Sequence, residues 1–271
     1  MILSLSEIST VLSPFEEDVR TYAAAGFGGI GIWEMKLEDD DAALEALRSS
    51  GLRVTNCVPT VPSILPNAVI EGPEDVEERI ASMQASVHRL ARYSPDCVLC
   101  LTGAAGSRDE AEARELVVDG LRRLAAAADD AGVRLGLEPI HSSQRDQLSL
   151  ISTIPQTLEL LQEAGLPDVG IMVDLWHLWD TPEIDRHLRE NVHRVTGVHV
   201  ADWHVDGRGE RALPGEGAAR IRELVGVLRD AGWDGALDVE IFGIPDDPAS
   251  FWALDVDEAA RRARAAIDAV L

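Results

Sequence analysis

The sequence predicts an α/β chain folded as a single (β/α)8 barrel, the TIM-barrel architecture, over residues 1–271. Three observations carry that prediction. Strand-like and helix-like runs alternate eight times from end to end. The length is close to the roughly 250 residues typical of such barrels. Four candidate metal ligands, Glu138, Asp174, His199 and Glu240, punctuate the last four strand-like runs.

The first strand is placed at about Ile2 to Ser6, and a helix from Pro14 ends before Gly26. Gly-Gly-Ile-Gly-Ile-Trp (28–33) is the second strand. The Asp39-Asp40-Asp41 cluster opens the second helix, where anions favour a helix N-terminus, and Gly51 stops it. The third strand, Arg53 to Val58, runs into a loop rich in proline (Pro59, Pro62, Pro66) before a helix from Pro73 to Tyr93. The fourth strand is Cys97 to Leu101, turned by Gly103 and Gly106 into a helix from Arg108 to Ala131. The remaining units place Glu138, Asp174, His199 and Glu240 at strand ends. Their helices run from Pro155 to Ala164, from Pro182 to Asn191, up to Gly232, and from Asp255 to Leu271. No linker or compositional break divides the chain.

The four candidate ligands lie 36, 25 and 41 residues apart, each gap long enough for one helix and its loops. Parallel strands bring their carboxyl ends to one face, so three carboxylates and an imidazole converge there. Such a set of hard and borderline donors suits a divalent cation. Strand alternation supports it. Gly136 and Glu138 share a face, as do Met172 with Asp174 and Asp238 with Glu240, opposite Leu237, Val239 and Ile241. Asp238 falls one layer below Glu240, with no partner evident from the sequence.

Composition excludes several classes. The net charge of −24 opposes nucleic acid, whose phosphates want cations. No apolar run approaches the roughly 20 residues a membrane span needs. The first residues lack the basic start of a secretory leader, which points to the cytoplasm. Three cysteines, an odd number, agree with a reducing compartment. Cys97 and Cys100 form a C-x-x-C, but an odd separation along a strand sends the thiols to opposite faces. Redox and zinc readings of that pair are therefore set aside.

In its C-terminal half the chain resembles the xylose-isomerase-like TIM-barrel superfamily of sugar isomerases, epimerases and lyases. The matching stretches are Leu-Glu-Pro (137–139), Val-Asp-Leu-Trp-His (173–177), Gly-Val-His-Val-Ala-Asp (197–202), Leu-Pro-Gly-Glu-Gly (213–217) and Asp-Gly-Ala-Leu-Asp-Val-Glu (234–240). The resemblance implies that Glu138, Asp174, His199 and Glu240 hold one divalent metal ion. Mn2+ is the first expectation, with Mg2+, Co2+ or Zn2+ as alternatives. It implies that Glu138 and Glu240 are the acid–base pair, that His177 contacts substrate or a metal-bound water, and that Arg211 binds substrate. It also implies an orienting role for Asp202. The implied chemistry is proton abstraction beside a carbonyl through a metal-bound enediolate.

Read from the residues themselves, Trp33 and His141 are further substrate-contact candidates, and His204 adds polarity beside Asp202. Trp176, Trp179 and Trp203 offer aromatic faces near strand ends. The expected activity is isomerisation or epimerisation of a sugar or polyol. A lyase that dehydrates a keto-polyol or cleaves a keto-glycoside uses the same site. An AP-endonuclease-like phosphodiesterase and a non-catalytic binding barrel are more distant readings. The four ligands serve several outcomes, so the metal site alone does not choose among them. A homo-oligomer is an open expectation.

Overall fold

The computed structural model describes residues 1–205 and 209–271. Its strands are β1 (Ile2–Ser6), β2 (Gly29–Trp33), β3 (Arg53–Val58), β4 (Val98–Cys100), β5 (Leu135–Leu137), β6 (Gly170–Asp174), β7 (Val195–Val200), the short pair β8 (Asp202–Trp203) and β9 (Arg211–Ala212), and β10 (Ala236–Val239). The helices are α1 (Phe15–Ala24), α2 (Asp40–Ser50), α3 (Val76–Ala91), α4 (Glu110–Ala131), α5 (Arg145–Leu148), α6 (Ile154–Glu163), α7 (Leu175–Leu178), α8 (Ile184–Asn191), α9 (Ile221–Asp230) and α10 (Val256–Val270). Eight strands close into one barrel in the order β1-β10-β7-β6-β5-β4-β3-β2, every neighbouring pair parallel. The expected (β/α)8 barrel is therefore what the chain forms.

Alternation along the strands divides the apolar residues into two sets. Outward side chains such as Ile30, Ile32, Val173, Leu237 and Val239 pack with the helices in one large cluster. Inward ones, including Cys97, Leu99 and Met172, form a separate cluster inside the barrel. The two thiols of the C-x-x-C pair divide accordingly, Cys97 inside and Cys100 outside. Burial pushes both up to about 12, so neither is a thiolate at neutral pH.

Local chemistry sets the helix limits. Asp75 caps α3 by accepting from the Glu78 N–H, so the helix begins at Val76 rather than at Pro73. Gly51 and Gly132 close α2 and α4 in the left-handed conformation, at φ 73° and 70°. Two short helices, α5 and α7, and the β8–β9 pair are additions to the expected pattern. Asp174 starts α7 by accepting the Trp176 N–H at 2.8 Å, which fixes its carboxylate at the strand end.

Beneath the loops that follow β1 and β2 lies a buried charged cluster. Lys36 donates to Thr10 O at 3.0 Å, pairs with Asp18, and lies 3.6 Å from Glu7 Oε1. Glu7 Oε2 accepts the Trp33 N–H at 3.0 Å. Glu34 is equally buried, and its Oε2 accepts the Thr60 N–H at 2.9 Å, tying the loop after β2 to the one after β3. No helix among the described residues is long and apolar enough to cross a membrane.

Candidate active site at the barrel mouth

Glu138 follows β5 directly, and its N–H continues the ladder by donating to Cys100 O at 3.0 Å. Asp174 is the last residue of β6, and Glu240 is the first after β10. His199 is the fifth residue of β7, paired in register with Asp174 on one side and Asp238 on the other. All four side chains are buried.

Glu138, Asp174 and His199 each offer a ligand atom within 4.8 Å of the others. His199 Nδ1 lies 3.4 Å from Glu138 Oε1 and 3.4 Å from Glu240 Oε2. Glu240 is also claimed by Arg211, whose Nη1 lies 2.8 Å from Glu240 Oε2 and 2.8 Å from Asp174 Oδ2. The contact to Asp174 lacks hydrogen-bond alignment, and Glu138 Oε1, Asp174 Oδ2 and His199 Nδ1 are buried atoms without hydrogen-bond partners. Buried polar atoms ordinarily find a partner. Three that face a shared centre, two oxygens and one nitrogen, fit a small divalent cation.

The charges of these groups are interdependent. Burial pushes Glu138 up to about 7, against the pull of His199. Burial opposes charge on His199, yet Glu240, Glu138 and Asp238 outweigh it and push the imidazole up to about 10. Asp174 is also penalised by burial, but Arg211, His177 and His199 together hold it below the ordinary carboxylate value.

Three other expected residues join the cluster. His177 accepts the His141 N–H on Nδ1 at 3.1 Å, and its Nε2 lies 3.2 Å from Arg211 Nη2 and 3.6 Å from Asp174 Oδ2. Burial outweighs that neighbouring carboxylate and, with Arg211, pushes His177 down to about 3. Arg211 is the first residue of β9, anchored by donating its N–H to Phe242 O at 2.9 Å. Its guanidinium lies between the rings of Trp176 and Phe242, 4.9 and 4.7 Å from their centroids. The His141 ring lies 4.7 Å from that of Trp203, which stacks at 4.6 Å on Trp176.

The remaining expected residues do other things. Asp202 is buried, and its carboxylate accepts from the backbone N–H groups of Trp203, Gly215 and Ala219 at 2.7–2.9 Å. It therefore shapes the loop leading to α9. His204, half-buried just past β8, is not one of the three clustered donors. Trp33 ends β2 and packs on the inner apolar cluster. Sequence reasoning missed Asn56, which is buried and bonded to both His199 and Asp238. The available signal was an amide on the inward parity of β3, two residues before Val58.

A closed parallel barrel with buried carboxylates and an imidazole gathered at the strand carboxyl ends has the layout of a barrel enzyme, because ligands bind on that face. More narrowly, the chain belongs to the xylose isomerase-like TIM barrel family, whose model matches residues 19–269. A human protein provisionally named hydroxypyruvate isomerase is 25% identical over 253 residues, covering 88% of this chain and 87% of its own. The D-psicose 3-epimerase of Enterocloster bolteae is 27% identical over 136 residues, covering 50% of this chain and 42% of its own. Among solved structures, the IOLI protein with a binding zinc atom superposes with a TM-score of 0.81 at 19% identity, covering 100% of this chain and 98% of the other.

Proposed function

We propose that this chain is a divalent-metal-dependent isomerase or epimerase of a small sugar or polyol. The observation that carries the reading is the placement of Glu138 and Glu240, each 3.4 Å from His199 Nδ1. Glu138, Asp174, His199 and Glu240 would hold the ion, Mn2+ first among the candidates. The IOLI protein's zinc supports a divalent site in this fold without fixing the metal here. Bound there, the cation supplies Lewis acidity that acidifies the C–H beside a substrate carbonyl.

The chain's own groups then divide the work. Glu138, a buried carboxylate at the end of β5, would serve as one proton carrier. Glu240 approaches as a second proton carrier, oriented by Arg211 at 2.8 Å. Proton return to the opposite face of the same carbon inverts it, whereas return to the neighbouring carbon exchanges aldose and ketose. Arg211 and the neutral His177 orient hydroxyl and carbonyl oxygens, and the stacked Trp176 and Trp203 shield the site from water. Relatives named for hydroxypyruvate isomerisation and D-psicose 3-epimerisation support this class, both names describing a carbon beside a carbonyl.

The test is hydrogen exchange in D2O. Hydroxypyruvate, D-psicose and a panel of keto-polyols are incubated with the Mn2+-loaded protein and followed by NMR. Deuterium entry at one carbon beside the carbonyl, without elimination, supports the reading. Net loss of water or of a glycosidic group moves the activity to a lyase. No exchange on any substrate by protein with a bound ion overturns it.

A further inference from the structure

Under the metal cluster lies a polar relay that the proposed chemistry leaves unused. Asn56 on β3 places Oδ1 3.3 Å from His199 Nε2 and donates through Nδ2 to Asp238 Oδ2 at 2.8 Å. Asp238 Oδ2 also lies 3.7 Å from His199 Nε2. Asn56 and Asp238 are each 1% exposed and His199 is 0% exposed, so water does not compete for these bonds. Room for the relay is built into the neighbouring strand: any Cβ at Gly31 would overlap Asp238 Oδ2 and stand 3.0 Å from Asn56 Nδ2.

The donor and acceptor roles follow from the chemistry of each group. A carboxylate only accepts, so the Asn56 edge that faces Asp238 must be its NH2. Its carbonyl oxygen then faces His199 Nε2, and a carbonyl also only accepts. Nε2 must therefore carry a proton. The other ring nitrogen, Nδ1, is the one that faces Glu138 and Glu240.

We propose that Asn56, oriented by Asp238, holds the Nε2 proton of His199 and so makes Nδ1 the nitrogen that binds the cation. The ligating half of this assignment rests on the cation reading above; the proton-holding half does not. Asn56 and Asp238 are positioning residues: they act through His199 and touch neither metal nor substrate.

The experiment is NMR on 15N-labelled protein, with His199 signals identified by comparison with His199→Gln. In metal-free wild type, the His199 Nε2–H is expected to exchange slowly with solvent. Asn56→Leu should speed that exchange at least tenfold. On titration with Zn2+, Nδ1 should show the coordination shift while Nε2 keeps its proton. Asn56→Leu and the near-isosteric Asp238→Asn should each weaken Zn2+ uptake by about 10- to 100-fold. Asp238→Asn preserves shape and keeps the test open if Asn56→Leu folds poorly. A coordination shift on Nε2, or Zn2+ affinity within twofold of wild type in both variants, overturns the assignment alone. Wild type that takes up no Zn2+ while its Nε2 proton stays protected overturns the cation reading and the ligating half with it.

Discussion

Arg211 Nη1 lies 2.8 Å from Glu240 Oε2, and that pair joins the loop after β7 to the end of β10. The arginine is held there by its backbone bond to Phe242 and by two aromatic faces, so its guanidinium is oriented before any substrate arrives. A planar fork holds Glu240 through Nη1 while Nη2 stays 3.2 Å from His177 Nε2, a two-point grip that an ammonium cannot reproduce. Arg211→Lys is therefore expected to lower kcat/KM by about 10- to 100-fold, the equivalent of one or two charged hydrogen bonds. Steady-state kinetics on whichever ketose shows exchange checks it, and a variant within twofold of wild type would remove Arg211 from the site.

Glu138 and Glu240 are expected to be separable by isotope. If they work from opposite sides of the reacting carbon, each Gln variant loses one half of the exchange. Glu138→Gln or Glu240→Gln should slow net turnover by about 10²- to 10⁴-fold. Deuterium washout should survive better in the variant that keeps the glutamate abstracting the proton. Equal residual washout in both variants, with normal metal content, would place the two carboxylates in the same role.

Much of this site was legible because barrels turn sequence order into position. Four polar residues at the ends of apolar runs mark one rim once the runs are recognised as parallel strands, and Glu138, Asp174, His199 and Glu240 gather there. Arg211 and Asp202 were harder. They sit around the β8–β9 pair, whose two-residue strands are too short to show alternation. Asn56 and Asp238 come from sequence positions 182 residues apart. Nothing local in either strand announces that the barrel will bring them together. Glu7 and Lys36 were likewise invisible, because their pairing depends on how two loops fold over the barrel end.

Metal binding should appear as stability. A ligand that binds only the folded chain raises its stability by RT ln(1 + [L]/Kd), about 2.7 kcal/mol at a hundredfold excess over Kd. Added Mn2+ or Zn2+ is expected to raise Tm and a chelator to reverse the rise. Asp174→Asn, which removes a buried anion from the cluster, should abolish most of the shift. A Tm indifferent to every divalent ion would remove the cation from this site.

Lys36 makes a prediction about pH, away from the metal cluster. Burial pushes Asp18 up from 3.8 to about 6 and raises Glu7 well above its ordinary value, with Lys36 opposing both shifts. An acid whose folded pKa is raised binds its proton more tightly in the folded state. Its contribution to stability is therefore complete below about 4 and is lost as pH rises through about 6. Lys36→Met removes the only cation that the described ion pairs bring to these carboxylates. At pH 8 the variant should lose about 3–5 kcal/mol, the range for a buried charge left without its partner. At pH 5 Asp18 is largely protonated and the loss should be clearly smaller. Urea midpoints at the two pH values measure it, and an equal loss at both would mean that packing of the lysine stem, not charge, holds the cluster.

Two glycines separate steric from conformational demand. Gly51 closes α2 at φ 73°, with open space where a Cβ would go. Gly51→Ala should therefore lose only the left-handed backbone preference, about 1–2 kcal/mol. Gly31 lies in β2, where the backbone tolerates any residue but Asp238 and Asn56 occupy the volume a methyl needs. Gly31→Ala must displace a buried carboxylate and the Asn56 amide that donates to it, so about 2–4 kcal/mol is expected from strain and lost hydrogen bonding together. The signature that distinguishes them is functional as well as thermodynamic. Gly51→Ala should bind Zn2+ as wild type does, since α2 lies outside the barrel. Gly31→Ala should bind it more weakly, because the relay behind His199 can no longer close. Wild-type Zn2+ affinity in a folded Gly31→Ala protein would show that the relay tolerates displacement and does not set the ligating nitrogen.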